Sequence, residues 1–304
     1  MNNTPNHKVC VVTGTCTGIG QQIAYKLLEL GHYVIMIDKY PPNETINTME
    51  KINPKGFEFH LADLSDQQSI QSLSANLIEQ HPSIDILVNN AGRHIVERET
   101  STDGYEMNFA LNCLGTASLT LHLLKSLQQA PSARIVNIAS EAHRFPGRFN
   151  FDDINTNNES MLYAYGKSKF GIILFTKALA TKLRGSSVTV NAVCPGLVST
   201  NIFLNFLPKW LATLFGSLSH VGLMSTAKDG AKVPVKLCCD PALNDANGNF
   251  YGSHSLLKHF SENKKTDIVE DQKRFFDLCK SIIDTQSSTM GHLGDPQQQN
   301  DLLA

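Results

Sequence analysis

A β-branched run over residues 8–13 stops at Gly14, and Thr15-Cys16-Thr17-Gly18-Ile19-Gly20 leads into apolar residues at helical spacing that continue to Leu30 before Gly31. A strand, a glycine-rich turn and a helix in that order confine the chain to few architectures. The same alternation recurs: strands are expected at 33–37, 56–61, 84–88, 134–138 and 188–193, and helices at 69–80, 104–127 and 165–183. Repeated βα units predict an α/β class fold, one doubly wound parallel sheet with helices on both faces. Residues 84–88 and 188–193 are largely apolar, as strands buried from both sides require. No compositional break precedes Thr200 and no repeat is visible, so one domain is expected over 8–283 after a flexible stretch at 1–7. Residues 284–304, rich in Gln, Ser, Gly and Pro, are expected to form a disordered tail because they have little to bury.

Of the 304 residues, 41% are apolar and 18% charged, and the net charge is −2, so no nucleic-acid partner is indicated. The seven cysteines, Cys10, Cys16, Cys113, Cys194, Cys238, Cys239 and Cys279, are odd in number and lack a C-x-x-C pair. They read as reduced thiols without a metal site. Residues 1–8 carry no apolar signal core, and no stretch reaches the ~20 apolar residues of a bilayer span. A cytoplasmic protein without integral membrane insertion is expected. Residues 202–215 are densely apolar but interrupted by Pro208 and Lys209. A lid over a substrate site around 201–225, plain core, and a surface dipping into a membrane interface are the alternatives there.

The glycine turn has a chemical reading. Gly14 permits the tight bend, Gly18 lets the backbone approach a pyrophosphate, Gly20 allows close packing, and Thr17 and Ile19 flank the helix N-terminus whose free N–H groups face the anion. The spacing is G-x-x-x-G-x-G, not the generic G-x-G-x-x-G. Asp38 ends the second strand, eighteen residues beyond Gly20, where a carboxylate accepts from ribose hydroxyls and repels a 2′-phosphate. Past the middle, Tyr165 and Lys169 are four residues apart and share a helix face, so the ammonium could lower the phenol toward the range of a proton-transfer group. Tyr163 and Lys167 offer the same spacing.

Together with Asn89-Asn90-Ala91-Gly92, these segments resemble the short-chain dehydrogenase/reductase family, and its retinol-dehydrogenase-like members in particular. The resemblance covers residues 8–200 with several ordered motifs and continues less distinctly to 283. It implies a Rossmann-type sheet and hydride exchange between a nicotinamide cofactor and an alcohol or carbonyl. It also implies roles by position. Asp63 and Leu64 border the adenine; Asn90, Ala91 and Gly92 border the adenosine ribose; Pro195, Gly196, Val198 and Thr200 meet the nicotinamide carboxamide. Asn112, Ser140, Tyr165 and Lys169 form the tetrad in which Ser140 orients the substrate oxygen, Tyr165 moves the proton, Lys169 also holds the nicotinamide ribose, and Asn112 supports the proton path. Ser168 before Lys169 and the run over 170–183 match relatives in the Tyr165 frame, leaving Tyr163 as a pocket or packing aromatic.

The family's basic residue for a 2′-phosphate is missing between Gly14 and Gly20, which favours NAD(H). Lys39 stands where a basic neighbour serves NADP in relatives, so NADP(H) is the alternative. Between Ser140 and Tyr165 lie 24 residues, and Phe145, Phe149 and Phe151 among them are candidates for an apolar pocket wall or a surface excursion. His143 reads as structural and Cys16 and Cys113 as packing residues. Relatives often form homodimers through the helices expected at 104–127 and 165–183. An NAD(P)-dependent oxidoreductase of an apolar small molecule is the favoured reading. A dinucleotide-responsive scaffold and a peripheral membrane enzyme of lipid-like substrates are its rivals.

Overall fold

The glycine turn lies at the switch point of a seven-stranded sheet. The structure, a computed structural model, describes residues 7–196, 226–252 and 262–293. All strands are parallel, in the order β3-β2-β1-β4-β5-β6-β7. They are β1 (Val9–Thr13), β2 (Tyr33–Asp38), β3 (Phe57–Leu61), β4 (Ile86–Asn89), β5 (Ala133–Ile138), β6 (Val188–Val193) and β7 (Phe250–Tyr251). The order reverses between β1 and β4, and open parallel sheets bind ligands beyond the carboxyl ends of such a pair.

Period-two alternation sorts the strand residues between two cores. Val11, Ile35, Leu87, Ile135 and Val190 face one layer: α3 (Gln67–Gln80), α5 (Gly115–Gln129), α6 (Met161–Lys182) and α8 (Val269–Leu293). Val12, Val34, Met36, Ile86, Val88 and Val136 face the other, formed by α1 (Gly18–Glu29), α2 (Asn43–Ile52) and α7 (Ala227–Cys239). A short helix, α4 (Met107–Phe109), opens into a π-helical turn over Ala110–Leu114 before α5. The segment expected to be mostly helical over 104–127 is so from Met107 on, with Gly104 itself in a turn at φ 83°.

Asn89 in β4 donates to Asn137 in β5 (2.8 Å) and to Thr120 in α5 (2.9 Å), and Asn137 donates to Thr176 in α6 (2.9 Å). This fully paired polar chain fixes the central strands against both helices where an unpaired amide would be costly.

One expectation is corrected in the α8 layer. Residues 284–293 continue α8 rather than beginning a disordered tail. The stripe of Phe275, Phe276, Cys279, Ile282 and Ile283, all buried, holds the preceding turns, and the helix propagates from them into the polar residues that follow. That stripe also covers α6. Phe276 stacks on Phe175 with centroids 5.8 Å apart, and a Cβ on Gly171 would lie 2.6 Å from the Phe275 ring, so glycine there admits the docking. Every residue over 164–176 of α6 is buried by the chain itself.

Phe149 also turns inward against Phe275 (4.7 Å between centroids) and Phe151 (4.8 Å), so of the loop's three phenylalanines only Phe145 reaches the cleft described below. Burying an aromatic pair in the core outweighs leaving it on a loop. Among the described residues, no helix is long and apolar enough to cross a membrane. The 202–215 segment lies outside the described residues.

Candidate active site

A cleft of about 1060 Å³ opens at the carboxyl ends of β1, β2, β4 and β5. Its cofactor-sized end is built by backbone geometry. Gly14 and Gly18 take φ of 71° and 69°, and a Cβ on Gly20 would lie 2.1 Å from the Gly14 carbonyl oxygen. Asn90 donates through its side chain to the carbonyls of Thr13 (2.9 Å) and Gly14 (3.0 Å), while the Thr13 hydroxyl accepts from the backbone N–H of Asn90 (3.0 Å) and Ala91 (2.9 Å). The two turns are thereby held as one surface. The Thr17 side chain makes no capping bond and no acidic residue occupies the first turn of α1, so the helix N-terminus keeps its N–H groups and positive dipole end for an anion. A dinucleotide pyrophosphate fits this cradle, whose close approach any larger residue would block.

Asp38 sits beside it, with one carboxylate oxygen accepting from the Cys16 N–H and the other from the Lys39 N–H, both at 2.8 Å. The Lys39 ammonium turns away to Asp63, 2.7 Å distant. Burial pushes Asp63 up, but hydrogen bonds from Lys39 and Ser65 outweigh it and hold the carboxyl below the usual carboxylate range. The Cys16 thiol, raised to about 12 by burial and by Asp38, is no reactive thiolate at neutral pH.

At the other end of the cleft Ser140, Tyr165 and Lys169 come together. Ser140 follows β5 and caps the short turn Glu141–Arg144. Its hydroxyl accepts from the Ala142 N–H (3.3 Å) and faces the Tyr165 phenol. The Lys169 ammonium donates to the Ile138 carbonyl (3.1 Å) and lies 5.9 Å from the Tyr165 ring centroid. Burial lowers Lys169 to about 8. Burial also raises Tyr165 to about 12, against the Ser140 hydrogen bond, so the expected lowering of the phenol by the lysine is not met: both groups are desolvated and the ammonium is turned to a carbonyl.

Asn112 stands behind this group, in the π-helical turn. Its amide donates to the Arg93 carbonyl (3.0 Å) and the Ser168 hydroxyl (3.2 Å), and its oxygen accepts from the Arg93 N–H (2.8 Å). A Cβ on Gly92 would lie 2.6 Å from the Asn112 oxygen and 3.1 Å from the Lys169 nitrogen, so Gly92 lets these side chains close ranks. The extra residue of a π turn re-aims one side chain without ending the helix.

The competing frame does not reach the cleft. Lys167 is buried on another side of α6, where its ammonium meets the carbonyls of Asp153 and Ile154 and stands 5.0 Å from the Phe149 ring centroid. Tyr163 is absent from the cleft lining among the described residues.

Gly14, Thr17, Gly18, Ile19, Asp38, Lys39, Asp63, Leu64, Asn90, Ala91, Gly92, Pro195 and Gly196 all line the cleft, whereas Gly20 and Asn112 act from behind it. Val198 and Thr200 lie outside the described residues. Sequence reasoning missed the wall beyond Tyr165, where Ile95, Met107, Leu111, Phe145 and Leu162 are mostly apolar and His94 lies 5.3 Å from the Tyr165 ring, centroid to centroid. Burial lowers His94 below its ordinary 6.5, against a hydrogen bond with the Met161 backbone. Only the position of residues 94–96 just after Gly92 signalled their place.

The chain resembles known proteins in sequence and fold. The short chain dehydrogenase family model matches residues 8–209. Retinol dehydrogenase 14 of Mus musculus is 32% identical over 81% of this chain and 77% of its own length. Retinol dehydrogenase 13 of Homo sapiens is 39% identical over 64% of this chain and 60% of its own. A solved protein of Mycobacterium paratuberculosis superposes with a TM-score of 0.70 at 25% identity, covering 91% of this chain and 93% of that one. The chain belongs to the short-chain dehydrogenase family, the NAD(P)-dependent oxidoreductases that act on CH–OH groups.

Proposed function

We propose that this chain interconverts an apolar alcohol and its carbonyl, with retinol-like molecules as the substrate class, NAD(H) as the preferred cofactor and Tyr165 as the proton-transfer group. The observation that carries the reading is that Ser140, Tyr165 and the buried Lys169 line one cleft together with the glycine cradle. The nicotinamide, when bound, supplies or accepts the hydride.

Gly14, Gly18 and the α1 N-terminus hold the pyrophosphate. Asp38 accepts from the adenosine ribose, with Asp63 and Leu64 along the adenine. Asn90, Ala91 and Gly92 border the same half, while Pro195 and Gly196 face the carboxamide; Val198 and Thr200, outside the described residues, are assigned to it by the family resemblance alone. Ser140 donates to the substrate oxygen and sets its distance from the phenol. Tyr165, protonated at neutral pH and raised further by burial, donates to that oxygen as negative charge develops on it. In the opposite direction the phenolate must form first, and Lys169 is the cation at hand to stabilise it. Asn112 holds the backbone at Arg93 and the Ser168 hydroxyl so that the lysine keeps its place.

Two features support NAD(H). Asp38 opposes a 2′-phosphate, and the Lys39 charge that could favour one is engaged by Asp63. The retinol activity in the relatives' names and the apolar wall of Ile95, Met107, Leu111 and Leu162 support the substrate class.

The test is cofactor reduction by the purified chain with all-trans-retinol and with ethanol, each in NAD+ and in NADP+. Turnover of retinol in NAD+, well above the other combinations, is the expected result. Equal rates for both alcohols remove the apolar-substrate reading, and a preference for NADP+ transfers the cofactor role to Lys39.

A further inference from the structure

One buried histidine outside the four-residue group is tied to it directly. His143 has no exposed surface. Its Nδ1 lies 2.6 Å from the Ser140 carbonyl oxygen, which also accepts from the His143 backbone N–H at 3.1 Å. Its Nε2 lies 3.2 Å from the backbone nitrogen of Asn263. The ring leans on Phe250 of β7, with centroids 5.1 Å apart.

These partners fix the proton. A carbonyl only accepts, so Nδ1 must carry the hydrogen, and a backbone N–H only donates, so Nε2 must be bare. An imidazolium would set one N–H against another. Burial, the largest influence, holds the ring on the neutral side of its ordinary 6.5, as this pairing requires.

We infer that His143, as the neutral Nδ1–H tautomer, is the positioning residue for Ser140, locking the serine's peptide plane to the Asn263 backbone and to β7. The inference rests on the proposed role of Ser140. Ser140 is the last residue before the Glu141–Arg144 turn, in extended conformation (φ −154°, ψ 155°), and its hydroxyl reaches the phenol from that backbone. A four-residue turn on its own leaves such a plane free to rock. The ring stops this by bonding the carbonyl of the same residue whose side chain meets the substrate. Asn263 is anchored in turn, donating through its side chain to the Gly147 carbonyl (3.2 Å) and accepting from the Lys265 N–H (3.0 Å). His143 therefore takes no proton from the reaction; it acts through Ser140.

Two isosteric replacements separate the ring's two bonds. In His143→Asn the amide nitrogen occupies the place of Nδ1 and keeps the donor to Ser140. In His143→Gln the amide lies where Nε2 was and loses that donor. A reacting group displaced by ~1 Å costs up to about 100-fold in rate. The experiment measures kcat and KM for retinol and NAD+, and the rise in Tm with NADH, for the full chain, both variants and Ser140→Ala.

The expected result is a kcat lower by about 10- to 100-fold in His143→Gln, with KM for NAD+ and the NADH-induced rise in Tm unchanged. His143→Asn then restores most of kcat. A ¹⁵N spectrum of the native chain is expected to show one buried histidine protonated at Nδ1 alone. An unimpaired His143→Gln beside an inactive Ser140→Ala overturns the inference while leaving the proposed function standing. Equal losses in both variants, accompanied by a lost NADH response, reduce His143 to a packing role and overturn it as well. Full turnover in Ser140→Ala overturns the reading of Ser140 itself, and the inference with it.

Discussion

Replacing Lys169 with methionine should stabilise the protein at neutral pH while removing its activity. Lys169 is almost fully buried, and its ammonium falls from the ordinary 10.5 to about 8 because burial disfavours the charge. At ~1.4 kcal/mol per tenfold change, a charged Lys169 costs the folded state about 3 kcal/mol below pH 8. Methionine has similar length and no charge, but it leaves the Ile138 carbonyl without its donor, a loss of ~1–2 kcal/mol. The net gain at pH 7 is about 1–2 kcal/mol, or a rise in Tm of ~2–3 °C for a chain this size.

The pH dependence isolates the cause. A lysine whose folded value lies below its unfolded value destabilises fully below the folded value, and the penalty fades as pH rises from about 8 toward 10.5. By about pH 9.5 roughly 2 of the 3 kcal/mol are gone, so the native chain should draw level with the variant or overtake it. Lys167, also lowered to about 8 by burial, titrates alike in both proteins and cancels. Tyr165, raised to about 12, opposes the trend only above its ordinary 10. Urea unfolding of both proteins at the two pH values gives the comparison. A Lys169→Met protein that is less stable at pH 7, with a gap that does not move by pH 9.5, would refute the claim that a buried charge is held there against its desolvation.

Gly20→Ala should abolish the NADH-induced rise in Tm and destabilise the chain by ~1–3 kcal/mol, because its Cβ falls 2.1 Å from the Gly14 carbonyl oxygen; an alanine variant that still responds to NADH removes the cradle argument. Asp38→Ala should weaken NADH binding and narrow its preference over NADPH by about tenfold or ~1.4 kcal/mol; an unchanged ratio in titration calorimetry leaves Asp38 without a role in cofactor choice. Phe276→Ala should cost ~3 kcal/mol by opening the stack on Phe175, with no change in mass by light scattering. A native dimer that falls apart in this variant would make α8 a subunit contact rather than an intramolecular cover.

The parts legible from sequence were those in which backbone chemistry dictates residue type. Gly14, Gly18 and Gly20 stand where positive φ or missing Cβ space is required, so the turn announced itself, and Asn90 followed from its place after an apolar strand. The choice between Tyr165 and Tyr163 was open by spacing alone, since both pairs share a helix face with a lysine. The family resemblance of Ser168 and the run over 170–183 favoured Tyr165, and the packing of Lys167 against the 153–156 backbone supplies the geometric reason. The π turn at Asn112 was invisible because it inserts one residue without changing composition. The extension of α8 past residue 283 was missed because 284–293 have little to bury and continue a helix whose apolar stripe ends at Ile283. The phenol's value was misjudged because sequence places a cation four residues away but says nothing of how deeply both are buried.

The central claim is that Tyr165 carries the proton. Tyr165→Phe and Tyr163→Phe, measured side by side for retinol turnover with NAD+ and for the rise in Tm with NADH, address it most directly. The account predicts loss of turnover in Tyr165→Phe with the cofactor response intact, and near-native turnover in Tyr163→Phe. Turnover that survives in Tyr165→Phe and vanishes in Tyr163→Phe would contradict it.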